Sequence, residues 1–272
     1  MKKIFYMAIA ALMTVTSCQH DFKDGPQTKV SFTAKNESGN KTVLNNIFVL
    51  WQSADAIKVF TADGQSAVST AKPYAANTCA KFDVDITPSD AYYAVYPYSA
   101  DAAFSGGTIT VTVPQLQSGK FADANFTVAK ATANNELNFK HIVGYVEFTI
   151  DKPGTVEIFG TEGDVLAGQV CVTGFDNYIP VYSVQNGKTS VKVDVPASGT
   201  YYIALLPDAT LKTLNVTLTD GTSVSSAFSP NSMKMKRGKL FSLGNITERL
   251  IPDGQFGATI EDFIIEEFPY NF

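Results

Sequence analysis

The chain has 272 residues, of which 45% are hydrophobic and 17% are charged, and its formal net charge is −5. That length is enough for one large domain or for two ordinary domains, each with its own core. Because the chain is acidic and its lysines are dispersed, it offers no basic patch to phosphate groups. Nucleic acid is therefore excluded as a partner.

The N-terminal segment predicts a secretory signal that ends at a lipidation site. Lys2 and Lys3 precede an apolar run over residues 4–15, which is too short to cross a bilayer because a spanning helix needs about 20 residues. The run ends in Val-Thr-Ser-Cys, the loose form of the bacterial lipobox, so we expect cleavage after Ser17 and acylation of Cys18. An ordinary cleaved signal with an incidental thiol is the alternative.

Removal of the signal changes the charge and the predicted location of the protein. Two lysines leave with residues 1–17, which takes the net charge of the mature chain from −5 to −7. Each buried CH₂ group of a lipid chain contributes about 0.8 kcal/mol to membrane binding, so several acyl chains on Cys18 would hold the protein permanently. The sequence thus predicts a protein that is anchored to a membrane by lipid rather than threaded through it.

The main body predicts an all-β protein made of antiparallel sandwiches. Apolar and polar residues alternate in short runs, which gives each predicted strand one buried and one wet face. Asn-Gly and Asp-Gly steps between runs suit tight hairpins, and no window of ten or more residues has a helical stripe. The runs cover residues 29–34, 56–60, 81–86, 108–113, 145–150, 155–159, 190–195 and 214–219.

We predict a division between two β-sandwiches near residue 136, because a loop-like stretch ends there and a new strand begins at Leu137. The acidic-aromatic tail pairs acids and apolar residues with a spacing closer to a helix than to a strand. We expect it to pack on its own chain or on a partner; a flexible acidic tail is the alternative. The predicted segments are the signal 1–17, a lipidated linker 18–27, sandwiches 28–136 and 137–249, and the tail 250–272.

The chain carries no convincing catalytic motif. The two histidines are His20, in the linker, and His141, which we expect to be a packing residue. Cys79 and Cys171 are interpreted as unpaired, buried thiols, with a disulfide as the alternative. No serine-nucleophile or phosphate-loop motif is present, and a carboxylate pair from distant strands cannot be judged from spacing. We therefore predict a protein that is not an enzyme and uses no cofactor or metal.

A set of aromatic residues has two interpretations. Tyr92, Tyr96 and Tyr98 share one parity, so in a strand their rings lie on one face. Together with Trp51, the only tryptophan, they could stack on sugar rings as a ligand platform. A tyrosine face is more often part of a sandwich core with hydroxyls at the rim, and we favour that interpretation.

The order of several short motifs resembles the fimbrillin-like (type V pilin) family from about residue 29 to residue 246. An early strand leads to a tryptophan and an Asp-x-Ile strand, followed by a tyrosine-proline strand, a Pro-x-x-Gln turn and a Phe-x-His entry to a second domain. Each motif is weak alone, but their order and spacing together are fairly specific. The motifs lie at residues 41–44, 49–51, 54–60, 93–99, 114–117, 137–141, 203–207 and 237–243.

The resemblance implies two transthyretin-like β-sandwiches in tandem on a lipoprotein of the cell outer membrane that faces the surface. Its implied role is that of a fimbrial subunit, anchor or adhesin. The candidate partners are other fimbrial subunits, a host surface and, if the aromatic residues form a ligand platform, glycans. Polymerising members of the family are cut after a basic residue in the first loop, which frees the first strand and opens a groove for a neighbouring strand.

This chain departs from that polymerising pattern. Its only arginines are Arg237 and Arg249, so an arginine-specific protease has no site near the N-terminus. Lys35 and Lys41 are the only candidates for proteolytic processing in the first loop. If neither is cut, the lipid stays on Cys18 and the protein is an anchor or an unpolymerised surface lipoprotein.

Overall fold

A computed structural model describes residues 28–36, 44–45, 48–160, 162–175, 179–207, 210–221, 223–229, 233–252 and 266–267. The all-β prediction is confirmed, because the helical residues described are one short helix, α1 (Phe121–Ala124), and a 3-10 turn over Thr247–Arg249. All eight predicted runs lie within strands. Cys18 and Lys41 lie outside the described residues.

Among the described residues, the first half of the chain contributes thirteen strands. They are β1 (Thr28–Asn36), β2 (Leu44–Asn45), β3 (Phe48–Val49), β4 (Ala56–Thr61), β5 (Ser66–Thr70), β6 (Lys72–Tyr74), β7 (Cys79–Ile86), β8 (Tyr92–Tyr96), β9 (Ala103–Ser105), β10 (Thr108–Val113), β11 (Leu116–Gln117), β12 (Thr127–Lys130) and β13 (Glu136–His141).

The described ranges of the second half also contain thirteen strands. They are β14 (Gly144–Ile150), β15 (Gly154–Gly160), β16 (Ala167–Thr173), β17 (Val181–Lys188), β18 (Ser190–Val195), β19 (Gly199–Leu205), β20 (Thr210–Leu211), β21 (Leu214–Asp220), β22 (Ser223–Ser229), β23 (Met233–Lys234), β24 (Leu240–Asn245), β25 (Ile251–Pro252) and β26 (Glu266–Glu267).

The first half forms an eight-stranded sheet in the order β5-β4-β8-β12-β13-β1-β7-β6, antiparallel except where β1 runs parallel to β13. The sheet curls back on itself, since the Ser69 hydroxyl of β5 donates a hydrogen bond to the Asp83 carbonyl of β7 at 2.8 Å. The enclosed space is filled by what we call the N-terminal core. It comprises Phe32, Ala34, Trp51, Ile57, Val59, Ala71, Ala80, Phe82, Val84, Ile86, Tyr92, Ala94, Tyr96, Ala129, Leu137 and Phe139.

The second half supplies most strands of two sheets, in the orders β11-β18-β15-β21-β22-β25 and β19-β14-β24-β26. In the first of them, β11 of the first half joins the edge by pairing parallel with β18. The inner faces of the two sheets are rich in Val, Leu and Ile, the residues expected on the buried side of a sandwich. Representative buried residues are Val146, Val156, Val193, Leu205 and Val216.

One further sheet joins strands from both sides of the predicted division, and we call it the bridging sheet. Its order is β17-β16-β10-β9, and β10 pairs antiparallel with β16 from Ile109–Val172 to Val113–Gly168. A second core, here called the shared core, therefore contains Phe104, Ile109 and Val111 as well as the apolar residues of the second half. The predicted segment bounds themselves stay a prediction.

Candidate functional site

The first strand occupies a central position in its sheet, although it comes first in the described chain. β1 pairs antiparallel with β7 from Thr28–Ile86 to Lys35–Cys79 and parallel with β13 from Thr33–Glu136 to Asn36–Phe139. Both edges of β1 are thus used for main-chain hydrogen bonds. A strand in that position, if removed, would leave a groove with two open edges.

The side chains of β1 alternate between the core and the surface, as period 2 requires. Phe32 is 1% exposed and Ala34 is 0% exposed, while Val30 is half-buried against the same core. The Phe32 ring meets the edge of Tyr92 with 5.1 Å between ring centroids. These inward residues, which sequence reasoning did not single out, are the ones that hold β1 in place.

The outward side chains of β1 make polar contacts with both neighbouring strands. The Ser31 hydroxyl donates a hydrogen bond to Asp83 at 2.6 Å, and Asp83 also pairs with Lys72. The Lys72 and Ser31 hydrogen bonds lower the pKa of Asp83. On the other side, Lys35 forms an ion pair with Glu136 at 3.3 Å. Exposed pairs of this kind contribute little to stability, so β1 is held mainly by its apolar face and its main chain.

The predicted ligand platform is largely incompatible with the structure, because burial removes three of its four rings from solvent. Trp51 is 0% exposed, Tyr96 2% and Tyr92 8%, and only Tyr98 is open, at 45%. Trp51 packs edge-on against Phe82 and Tyr96, with 5.4 and 5.2 Å between the ring centroids. The favoured interpretation as a core face therefore describes Trp51, Tyr92 and Tyr96.

Within the predicted platform, the hydroxyls of the buried residues Tyr92 and Tyr96 have polar partners. Tyr96 donates a hydrogen bond to Asp55 at 3.1 Å, and the Tyr92 oxygen accepts one from the backbone N–H of Ser89 at 2.9 Å. Buried polar groups require such partners. The aromatic rings thus form the wall of the N-terminal core against which Phe32 of β1 rests.

The two predicted processing sites differ in position. Lys35 lies within β1 and is paired on both sides, so a protease could reach its peptide bond only after β1 had left the sheet. Lys41 falls between β1 and β2, in a stretch outside the described residues. Cys18, which precedes β1, also lies outside them. No helix among the described residues is long and apolar enough to cross a membrane.

His141 is a packing residue, as predicted, and it belongs to a buried polar cluster where β13 leads into the second half. The Tyr145 hydroxyl lies 2.5 Å from His141 Nδ1 and 2.7 Å from Asn125 Oδ1. Because the amide oxygen can only accept, the hydroxyl donates to Asn125 and His141 Nδ1–H donates to Tyr145. Burial, followed by the charge of Arg237, holds the pKa of His141 well below its usual value.

Gly238 packs directly against His141 of this cluster, and no larger residue fits at its position. Its φ of +69° lies in the left-handed region, and a Cβ atom would lie 2.7 Å from Cδ2 of His141. The guanidinium of the preceding Arg237 donates a hydrogen bond to the His141 carbonyl at 3.3 Å. Loop residues 237–238 of the second half therefore clamp the end of β13.

Cys79 and Cys171 carry free thiols, as favoured, but both are half-buried on outward faces rather than buried. Each sulfur lies near a threonine hydroxyl, Thr78 at 3.8 Å and Thr110 at 3.9 Å. Within the described ranges, no three His, Cys, Asp or Glu residues converge as metal ligands.

The described parts of the C-terminal tail include the short strands β25 and β26, and most of the stretch whose spacing is closer to a helix lies outside the described residues. Glu266 and Glu267 form β26, which pairs antiparallel with Ser242 and Phe241 of β24. An open sheet edge pairs through the main chain, so two residues need no alternating side chains to join it. The tail thus contacts its own chain at this point.

Comparison with known proteins identifies the class to which this architecture belongs. The model of the fimbrillin-like family matches residues 28–262, and the chain therefore belongs to the fimbrillin-like family. The predicted resemblance is confirmed. No functionally curated protein matches the chain in sequence.

One solved structure with a TM-score above 0.5 agrees at the level of the fold. A candidate cell adhesion protein from Bacteroides ovatus has a TM-score of 0.52 and 15% identity, covering 89% of this chain and 99% of its own. A fimbrial assembly protein from Parabacteroides distasonis has a TM-score of 0.39 and 10% identity, covering 80% of this chain and 91% of its own. Family and fold together define a pilin-like structural protein of the cell surface.

Proposed function

We propose that the chain is a lipid-anchored outer-membrane protein of a fimbrial system, in which the position of β1 can accept a strand of another subunit only after β1 itself has left the sheet. The observation that carries this proposal is the position of β1, between β7 and β13, with Phe32 and Ala34 inserted into the N-terminal core. A strand that enters the same position gains hydrogen bonds on two edges and a pocket for an aromatic ring.

The groove selects its occupant by shape as well as by main-chain pairing. Phe32 lies opposite Phe82 and Ala34 opposite Ala80 in the register with β7. A fitting strand therefore places a large apolar residue at the first position and a small one two residues later. A register slip by one residue would put the polar face into the core, so the pairing register is strongly specified.

In the intact chain the groove is filled by its own first strand. A cut between β1 and β2, where Lys41 lies, would detach Cys18 and β1 together from the rest of the molecule. Because no arginine precedes Arg237, we propose that β1 stays in place and that the lipid on Cys18 remains a permanent anchor. Contacts with host surfaces or fimbrial neighbours would then be made by a membrane-tethered protein.

Mass spectrometry of the mature protein from cells tests the anchoring. An intact N-terminus with acyl groups on Cys18 is the expected result. A mature N-terminus within residues 33–46 without lipid would instead identify a polymerising subunit. Absence of acyl groups on Cys18 in every form of the protein would refute the lipid anchor. Lys41→Ala is the matched variant, and it should abolish any cut found beside residue 41 while Lys35→Ala leaves it unchanged.

Strand addition is tested separately with a synthetic peptide. A chain that has lost residues 1–36 should bind a peptide with the sequence of β1, Thr28–Asn36, and regain the Trp51 fluorescence of the intact protein. The matched control is the same peptide with Phe32→Asp, which buries a charge in the aromatic pocket and should not bind. Equal binding of both peptides would refute a groove that reads side chains.

A further inference from the structure

A cavity of about 280 Å³ opens where the loop after β8 faces the end of β10 and helix α1. Its volume is near the lower end of the range of small-ligand sites, about 300–1,000 Å³. Tyr98, Asp101, Thr112 and Asp123 are among its lining residues, and Pro114 contributes apolar surface. The cavity is separate from the groove of β1.

Tyr98 presents an open aromatic ring to this cavity. It is 45% exposed, and among the described residues nothing hydrogen-bonds its hydroxyl. Its backbone N–H donates a hydrogen bond to Ala56 at 2.8 Å. The ring is thus exposed on a wall whose main chain is held in place, so ligand binding would cost little ordering of the loop.

Lys58 braces the same loop from behind. Its ammonium group donates hydrogen bonds to the carbonyls of Ala100 and Ala102 at 2.9 and 2.8 Å. The cavity lining itself contains no lysine or arginine among the described residues. An anionic ligand would therefore find no compensating charge.

Two carboxylates lie at the rim of the cavity. Asp123 accepts a hydrogen bond from the Ser118 hydroxyl at 2.7 Å, which orients it. Asp101 is exposed, and its carboxylate has no hydrogen bond or ion pair within the part of the chain that the structure describes. Carboxylate oxygens accept hydrogen bonds and cannot donate them when ionised, so they match a ligand that presents hydroxyl groups.

The outward face of the bridging sheet continues from the cavity and is uncharged along its centre. Thr112 lies in the cavity wall, and Thr110 and Thr108 follow on the same face of β10. Gln169 and Cys171 of β16 lie opposite Thr112 and Thr110. A ligand that extends beyond the cavity would meet hydroxyls and an amide rather than fixed charges.

From this geometry we propose that the cavity binds one ring of a neutral glycan. The Tyr98 ring stacks on the apolar face of the sugar, and the Asp101 and Asp123 carboxylates accept hydrogen bonds from its hydroxyls. Further sugar residues extend over Thr112 and Thr110. This inference goes beyond the structural role in fimbriae and does not rest on it.

Isothermal titration of the full chain in detergent tests the site against neutral oligosaccharides of glucose, mannose, xylose and N-acetylglucosamine, with sialylated and glucosamine oligomers as charged comparators. We expect at least one neutral oligosaccharide to bind. Tyr98→Ala should weaken it by about tenfold or more, the size expected for the loss of one aromatic contact. Tyr98→Phe should retain most of the affinity, and Asp101→Asn should weaken it by about threefold to tenfold.

Tyr74→Ala is the matched control, because Tyr74 is 38% exposed on β6, away from the cavity. It should bind as the unchanged protein does, and unfolding midpoints should show that all variants are folded. Absence of binding across the neutral panel, binding confined to charged glycans, or equal affinity of Tyr98→Ala and the unchanged protein would each overturn the proposal. None of these outcomes would bear on strand addition at β1.

Discussion

The two cores of the molecule are built from different stretches of chain and respond differently to the loss of a strand. The N-terminal core draws all its residues from positions 32 to 139 and depends on aromatic edge contacts around Trp51. The shared core takes residues from both halves, from Phe60 to Ile246. β1 touches only the first, so its departure would disturb one core while the bridging sheet keeps the halves joined.

Strands common to both cores explain how they coexist in one fold. In β8, Tyr96 and Ala94 face the N-terminal core, while Val95 faces the shared core. In β12, Ala129 faces the N-terminal core and Val128 faces the shared core. Such strands are buried on both faces, so the two cores are separated by a single sheet.

Of the substitutions that distinguish the two cores, Phe32→Ala should lower the free energy of unfolding most. The ring is fully buried, and its removal leaves a cavity, which costs about 3–5 kcal/mol of unfolding free energy for Phe→Ala. Trp51 is the only tryptophan and lies in the same core, so its fluorescence reports that core during urea unfolding. The control Phe228→Ala, at a ring 38% exposed, should cost about 1 kcal/mol or less. Equal losses at both positions would contradict the assigned role of Phe32.

Ile109→Ala should show whether the cores unfold together. Ile109 of β10 is 0% exposed in the shared core, so we expect a loss of about 2–5 kcal/mol. Because the bridging sheet links the halves, circular dichroism and Trp51 fluorescence should shift by the same denaturant concentration. An unchanged fluorescence midpoint would mean that the cores are independent. Thr110→Ala, the outward neighbour on the same strand, is the control and should cost about 1 kcal/mol or less.

Acid should weaken the junction between the two cores through His141. Its folded pKa is depressed by burial and by Arg237, whereas the unfolded pKa is about 6.5. Below pH about 6.5 the unfolded chain binds a proton that the folded chain does not. As the pH falls further, the free energy of unfolding therefore decreases by about 1.4 kcal/mol per pH unit until the folded pKa is reached. Above pH about 6.5 the contribution of His141 is fully present.

The difference between the unchanged protein and His141→Gln isolates this effect from other titrating groups. Urea unfolding from pH 4 to 8 should give a difference that is constant above pH about 7 and shrinks or reverses below it. Parallel profiles for the two proteins would show that His141 does not titrate on unfolding.

Thr127→Val should have the smallest effect of these substitutions, and any change should be an increase in the free energy of unfolding. The Thr127 hydroxyl is buried beside this junction and has no hydrogen-bond partner in the described chain. Replacing an unsatisfied hydroxyl by a methyl group of the same shape should leave stability unchanged or raise it by about 1 kcal/mol. A loss greater than about 1 kcal/mol in urea unfolding would show that the hydroxyl has a partner.

Much of the local structure follows from the sequence pattern. Alternation located the strands, because a side-chain period of two holds wherever one face is buried and the other wet. β1, β7 and β10 were found in this way. The order of short motifs predicted the family, which the family match confirms.

Alternation could not decide which strands pair or what faces solvent. Tyr96 and Tyr98 share a parity, yet one is 2% and the other 45% exposed, because β8 ends between them and the chain turns away from the core. Asp101 and Asp123 are 22 positions apart in sequence and line one cavity only because the loop after β8 approaches α1. No local pattern records such an approach.

By itself the sequence determined the strand-rich class and the family, since these depend on local composition and spacing, and the lipid site at Cys18 stays a prediction. Tertiary structure alone decided that β1 lies between β7 and β13, that β10 crosses to β16, and that Trp51 is core while Tyr98 is surface. The physical reason is that main-chain hydrogen bonding is the same for every residue type but proline. The choice among strand partners is therefore made by how whole faces bury together.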